Sequence, residues 1–118
     1  MAVKAIRGAV QVRANTHAAI TDGVQELIAA IMRTNALTPE SIISVIFTST
    51  ADLTAAFPAT ACRDIGFEAV PLLGAVEVDV PGALDKTIRV MIHANTNAPS
   101  LSHIYLHGAQ VLRRDIAQ

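Results

Sequence analysis

The chain has 118 residues, of which 52% are hydrophobic and 16% charged, and a formal net charge of −1. That balance excludes a general nucleic-acid footprint, which would be basic, and falls well short of the roughly 25% charge of typical domains. Its length predicts one domain over residues 1–118, and its apolar excess predicts a homo-oligomer with part of that surface hidden between subunits.

One cysteine, Cys62, excludes an intrachain disulfide and fits a reducing compartment. The longest apolar run, residues 27–32, is too short to span a bilayer. Arg7, Gly8 and Gln11 interrupt what a signal peptide would need as an apolar core. The expectation is a cytoplasmic protein without membrane or nucleic-acid partners.

Residues 2–13 mix β-branched and polar residues and predict a first strand, with Gly8 marking a bulge or a close backbone approach. Asn15 and Thr16 offer a helix cap, and Ile20, Val24, Leu27, Ile28 and Ile31 form one apolar stripe of a helix running to about Asn35. Thr38-Pro39-Glu40 is a second helical start. It leads into Ile43 to Thr50, β-branched, nearly uncharged and predicted to be a central strand. Pro58 opens a short helix through Arg63, stopped at Gly66 and flanked by Phe57.

Val70 to Val80 and Lys86 to Thr96 predict two more strands, joined through Pro81-Gly82. His103 to Leu106 predicts a short fifth strand, which Ala109 to Leu112 would extend or follow. The fold class is therefore α+β, a mixed five-stranded sheet with the helices on one face.

Two charges stand among strand-forming residues: Glu77 between Val76 and Val78, and Arg89 between Ile88 and Val90. Alternation puts Arg89 on one face with Thr87, Met91 and His93. Such a charge belongs either to a solvated face or to a group kept for chemistry. No nucleophile constellation, phosphate loop or dinucleotide fingerprint is visible. His103 and His107 would share a face only if the last strand continued that far, and without a carboxylate or Cys partner they do not make a metal site.

Seven of the nine basic residues are Arg, which suits bidentate grip of carboxylates. Arg7, Arg63, Arg89 and Arg113, with Glu77, Tyr105 and Phe57, could hold a small dianion without any covalent step, by positioning and by electrostatics. Taken singly, each of these residues is better explained by a solvated surface or a packed core; their joint placement on strands and strand edges is what points to a site.

Four blocks carry a resemblance to a known family: residues 6–9 (IRGA), 48–63 (TSTADLTAAFPATACR), 70–91 (VPLLGAVEVDVPGALDKTIRVM), and HIYL with VLRRD near the end. In this order and spacing the chain resembles the monofunctional chorismate mutases of the trimeric, mixed α/β class. The resemblance implies a homotrimer around a central pseudo-barrel, no cofactor and no metal. It also implies sites at the subunit boundaries and the Claisen rearrangement of chorismate to prephenate in Phe and Tyr biosynthesis.

It implies Arg89 against the ether oxygen of the substrate, Glu77 accepting from the ring hydroxyl, and Arg7 and Tyr105 binding a carboxylate. Phe57, Ala59, Thr60 and Arg63 would form a wall and entrance, Leu73 and Gly74 would line the pocket, and Leu112 and Arg113 would close it. Thr60 stands where the family often has Lys, Gly74 where relatives carry a small polar or thiol side chain, and Arg114 where a proline is common.

Rival readings are a non-catalytic trimer that binds a small carboxylate, an enzyme of the same architecture acting on imines or enamines, and a purely structural module. Glu77 beside Arg89 distinguishes the first, since a simple anion binder has little use for an inward carboxylate.

Overall fold

The computed structural model describes residues 1–116, with side chains through Leu112. The strands are β1 (Ala2–Gln11), β2 (Ile42–Ser49), β3 (Leu72–Val76), β4 (Thr87–Thr96) and β5 (Ile104–Leu106). They form one sheet in the order β3-β2-β4-β1-β5. β4 is antiparallel to both β1 and β2, while β3 runs parallel to β2 and β5 parallel to β1. The sheet is therefore mixed, as the α+β reading requires.

Helix α1 (His17–Thr34) is capped by Thr16, whose hydroxyl accepts from the Ala19 N–H at 3.1 Å. Its stripe of Ile20, Val24, Leu27, Ile28 and Ile31 is fully buried. The stripe meets Ile6 and Val10 of β1, Val45 and Phe47 of β2, and Ile88, Val90 and Ile92 of β4 in one core. Gly8 allows this closeness: a Cβ there would lie 2.9 Å from Ile31 Cδ1. Gly23 does the same on the helix side, 2.5 Å from Val12 Cγ1. Gly8 thus marks a close approach rather than a bulge.

Helix α2 (Pro58–Cys62) adds Ala61 and Cys62 to this core, so both helices cover the same sheet face. From Arg63 to Phe67 the chain winds through a wider turn, kinked at Ile65 and at Gly66 (φ 101°). Asn15 holds the approach to α2, its side-chain oxygen accepting from the N–H groups of Thr54 and Ala55.

One expectation is corrected: β3 ends at Val76, not Val80. Although consecutive in the chain, β3 and β4 are not neighbours in the sheet, because β2 lies between them. Residues 77–86 instead cross the end of β2: the Glu77 N–H donates to Ser49 O, the Thr50 N–H to Thr87 O, and the Lys86 N–H to Asp52 Oδ2. Val78 and Val80 keep a strand's alternation but stand 74% and 56% exposed outside the sheet. The fifth strand ends at Leu106 as expected, and Ala109 to Leu112 follow it rather than extend it. A 3-10 segment, His107–Ile116, follows, and it lays Ala109 and Leu112 against Ala9 and Tyr105 on the sheet's other face.

Candidate active site

The face turned away from the helices is ordered by strand register. Partners opposite each other in a sheet share a face, so Ala75, Thr48, Arg89, Ala9 and Tyr105 form one row across β3, β2, β4, β1 and β5. The next row is Leu73, Ile46, Met91 and Arg7. Arg7 is thus the diagonal neighbour of Arg89, a spacing within reach of long side chains. Small Ala9 separates Arg89 from Tyr105.

Arg89 belongs here by parity. Ile88 and Val90 turn into the core at 0% and 4% exposure, leaving Arg89 to the open face. Glu77 reaches it from one residue beyond β3, its N–H still bonded to Ser49 O at 2.8 Å. Its Oε1 takes two donors, Arg89 Nη1 at 2.9 Å and the Thr48 hydroxyl at 2.8 Å, while Oε2 accepts from the Val78 N–H at 3.2 Å. The ion pair is half-buried, with side-chain exposures of 38% for Arg89 and 24% for Glu77.

The Thr48 hydroxyl first, and Arg89 after it, hold the Glu77 carboxyl below the usual carboxylate range, against the opposing effect of partial burial. Glu77 is therefore a fixed anion in neutral solution, an acceptor and not an acid.

The pair lines a hollow of about 460 Å³ together with Thr50, Asp52, Val80 and Leu84. Asp52 fixes its far wall. The Thr50 hydroxyl and the Lys86 N–H bond to its carboxyl and lower its pKa, while Thr50 Oγ1 also accepts from the Thr87 N–H. The wall before β4 is thus tied to the end of β2.

The remaining predicted residues divide into two groups. Arg7 is exposed on the open face and donates its backbone N–H to His103 Nδ1 at 2.9 Å. Tyr105 is 5% exposed, and Leu112 packs beside it. Leu73 shares the open face at 62% exposure. Gly74 has the opposite parity, pairing with Phe47, and a Cβ there would meet nothing within 4 Å.

Phe57, Ala59, Thr60 and Arg63 form the second group. They ride on or beside α2, which packs with α1 on the covered face, so the sheet stands between them and Arg89 within one chain. Phe57 is 80% exposed and is no core residue. The Arg113 side chain lies outside the described residues.

His103 and His107 do not pair: β5 ends before His107, which turns to Glu26 with Nε2 3.0 Å from Oε1. Among the described residues no three His, Cys, Asp or Glu side chains converge on a point that could hold a metal ion. No helix among them is long and apolar enough to cross a membrane.

Sequence reasoning missed Thr48, Thr50 and Asp52. The signal for Thr48 was its alternation with Ser44 and Ile46, which places it on the face of Arg89, but strand pairing was needed to bring the two together.

Comparison with known proteins identifies the family. A family model described as chorismate mutase type I matches residues 3–116. The chorismate mutase AroH of Thermus thermophilus is 45% identical over 117 residues, 97% of this chain and 96% of that protein. The AroH of Bacillus subtilis (strain 168) is 37% identical over 120 residues, covering 99% and 94%. A solved chorismate mutase from Clostridium thermocellum superposes with a TM-score of 0.89 at 46% identity, over 92% of this chain and 98% of that one. With a family model that matches residues 3–116 and relatives 45% and 37% identical over nearly their whole length, the chain belongs to the type I chorismate mutase family.

Proposed function

We propose that the protein, as one catalytic domain over its 118 residues, converts chorismate to prephenate on the open sheet face, with Arg89 and Glu77 at the centre. The reaction is unimolecular: the ether C–O bond breaks as a C–C bond forms. No proton, nucleophile or redox partner is required. In the transition state the enolpyruvyl oxygen gains negative charge and the ring fragment becomes partly positive.

Arg89 donates to that oxygen, and Glu77 accepts from the ring hydroxyl and faces the positive fragment. One such preorganised donor is worth roughly 3–4 kcal/mol of barrier. Arg7 and Tyr105 bind a carboxylate, and Leu73 lines the pocket. The observation that carries the reading is the anionic Glu77 held 2.9 Å from the Arg89 guanidinium, an arrangement that a simple carboxylate binder does not need.

The functional unit is a homotrimer. Leu73, Val76, Val78, Val80 and Phe57 are each more than half exposed in the single chain, more apolar surface than water favours. A neighbouring copy would cover it and deliver Phe57, Ala59, Thr60 and Arg63 to the Arg89 face, which α2 of the same chain does not reach. Leu112 and Arg113 then close the site. A cytoplasmic setting accords with the single buried free thiol of Cys62.

The test follows the ultraviolet absorbance of chorismate with wild type and Arg89→Ala. Wild type should accelerate its decay, and the variant should lose about 10³-fold in kcat/KM. Equal acceleration by both would remove Arg89 from its role. Mixing inactive Arg89→Ala with inactive Arg63→Ala under subunit exchange should restore part of the rate, and no recovery would defeat the shared site.

A further inference from the structure

We infer that Thr48 is a positioning residue for the rearrangement: its hydroxyl, bonded to the same Glu77 oxygen as Arg89, fixes the carboxylate so that Oε2 is the atom offered to the substrate hydroxyl. This deepens the chorismate reading above and rests on it.

Both strong donors to Glu77, the Thr48 hydroxyl at 2.8 Å and Arg89 Nη1 at 2.9 Å, meet Oε1. Oε2 has the longer 3.2 Å contact with the Val78 N–H, which leaves it acceptor capacity. A carboxylate held from β2, β4 and its own chain cannot rotate without giving up a bond. Arg89 alone would not achieve this, because it must also answer the substrate, whereas Thr48 makes no demand on it.

Thr is also stiff at χ1, so its hydroxyl direction is set by the strand. Register enforces the arrangement, since Thr48 lies directly opposite Arg89. Strand propensity would be served as well by Val, so the hydroxyl is what the position adds.

The other charged groups around Glu77 are Arg89 on β4 and, around the hollow, Asp52, Asp79 and Asp85. Partial burial raises the proton affinity of Glu77, and the Thr48 hydroxyl and Arg89 oppose it. The Thr48 hydroxyl is the foremost cause of the lowered Glu77 pKa, so its loss has a signature in pH as well as in rate.

The experiment compares wild type, Thr48→Val and Thr48→Ser. Thr48→Val keeps shape and strand preference and should lower kcat about tenfold with little change in KM. It should also move the acidic limb of the kcat/KM profile to higher pH. Thr48→Ser restores the hydroxyl and should recover most of both. In parallel, carbon-13 NMR of the Glu77 carboxyl reads its titration without any turnover.

An unshifted Glu77 titration in Thr48→Val, or a Thr48→Ser as impaired as Thr48→Val, overturns the positioning role while leaving an active wild type intact. A wild type that leaves chorismate untouched overturns the reaction itself, and with it any role of Thr48 in it.

Discussion

The two faces of one sheet follow opposite rules. The covered face carries Ile6, Val10, Val45, Phe47, Ile88 and Ile92, all essentially inaccessible and none ionisable. The open face, made by the alternate residues of the same strands, carries Arg7, Thr48, Arg89 and His93 at partial or full exposure. Packing holds the covered side chains, and through them it fixes the backbone from which the open ones project. β4 is bonded on both edges, so Arg89 stands on a strand that cannot shift. The site thus takes its rigidity from a core it does not touch, and stability and chemistry should respond to different substitutions.

The sharpest way to break that division is Leu27→Ala on α1, which is 0% exposed. It should cost about 2–5 kcal/mol, measured as the urea midpoint, with kcat of the folded enzyme unchanged. A lost rate would show that the core reaches the site by more than backbone support. The converse is Glu77→Gln. Its half-exposed ion pair is worth about 1 kcal/mol or less to folding, so the midpoint should barely move while kcat/KM falls about 10²-fold. A large loss of stability would make the pair structural.

Gly23→Ala adds a Cβ 2.5 Å from Val12 Cγ1. Overpacking of about 1–3 kcal/mol set against a helix-propensity gain of about 1 kcal/mol predicts a net loss near 1 kcal/mol, again without a change in rate.

Acid provides a milder probe. Glu77 and Asp52 both have pKa values lowered by folding, from ordinary values of 4.5 and 3.8. Their stabilisation is fully present above those values and is lost as pH falls through the lower folded ones. Glu77→Gln should therefore flatten the decline of the urea midpoint below about pH 4.5. The smallest effect concerns Cys62, whose pKa burial pushes up to about 12. A thiol reagent at pH 8 should leave the native protein unmodified and react only after denaturant is added. Modification without denaturant would mean that α2 opens.

Much of this was readable in the chain, for identifiable reasons. The stripe of α1, its cap at Thr16 and the outward parity of Arg89 are local patterns, and they survive folding unchanged. Val76, Val78 and Val80 were misread as one strand because alternation is the same whether or not a partner is hydrogen-bonded beside it. Only the crossing over β2 ends the strand, and that crossing depends on Ser49, Asp52 and Thr87, far away in sequence. Thr48 went unmarked for the same reason. Its importance lies in standing opposite Arg89, 41 positions on, and register between distant strands leaves no local trace.

The strand order also has a consequence for the growing chain. β1 is made first, yet its hydrogen-bonding partners are residues 87–96 and 104–106. β2, likewise, meets β1 only through β4. A nascent chain therefore emerges from the ribosome with its first strand and its apolar helix waiting on the last third of translation. Folding must be a late and largely concerted event. Truncations before β4 should leave β1 without a partner and at most the parallel β2–β3 pair, a chain handed to chaperones.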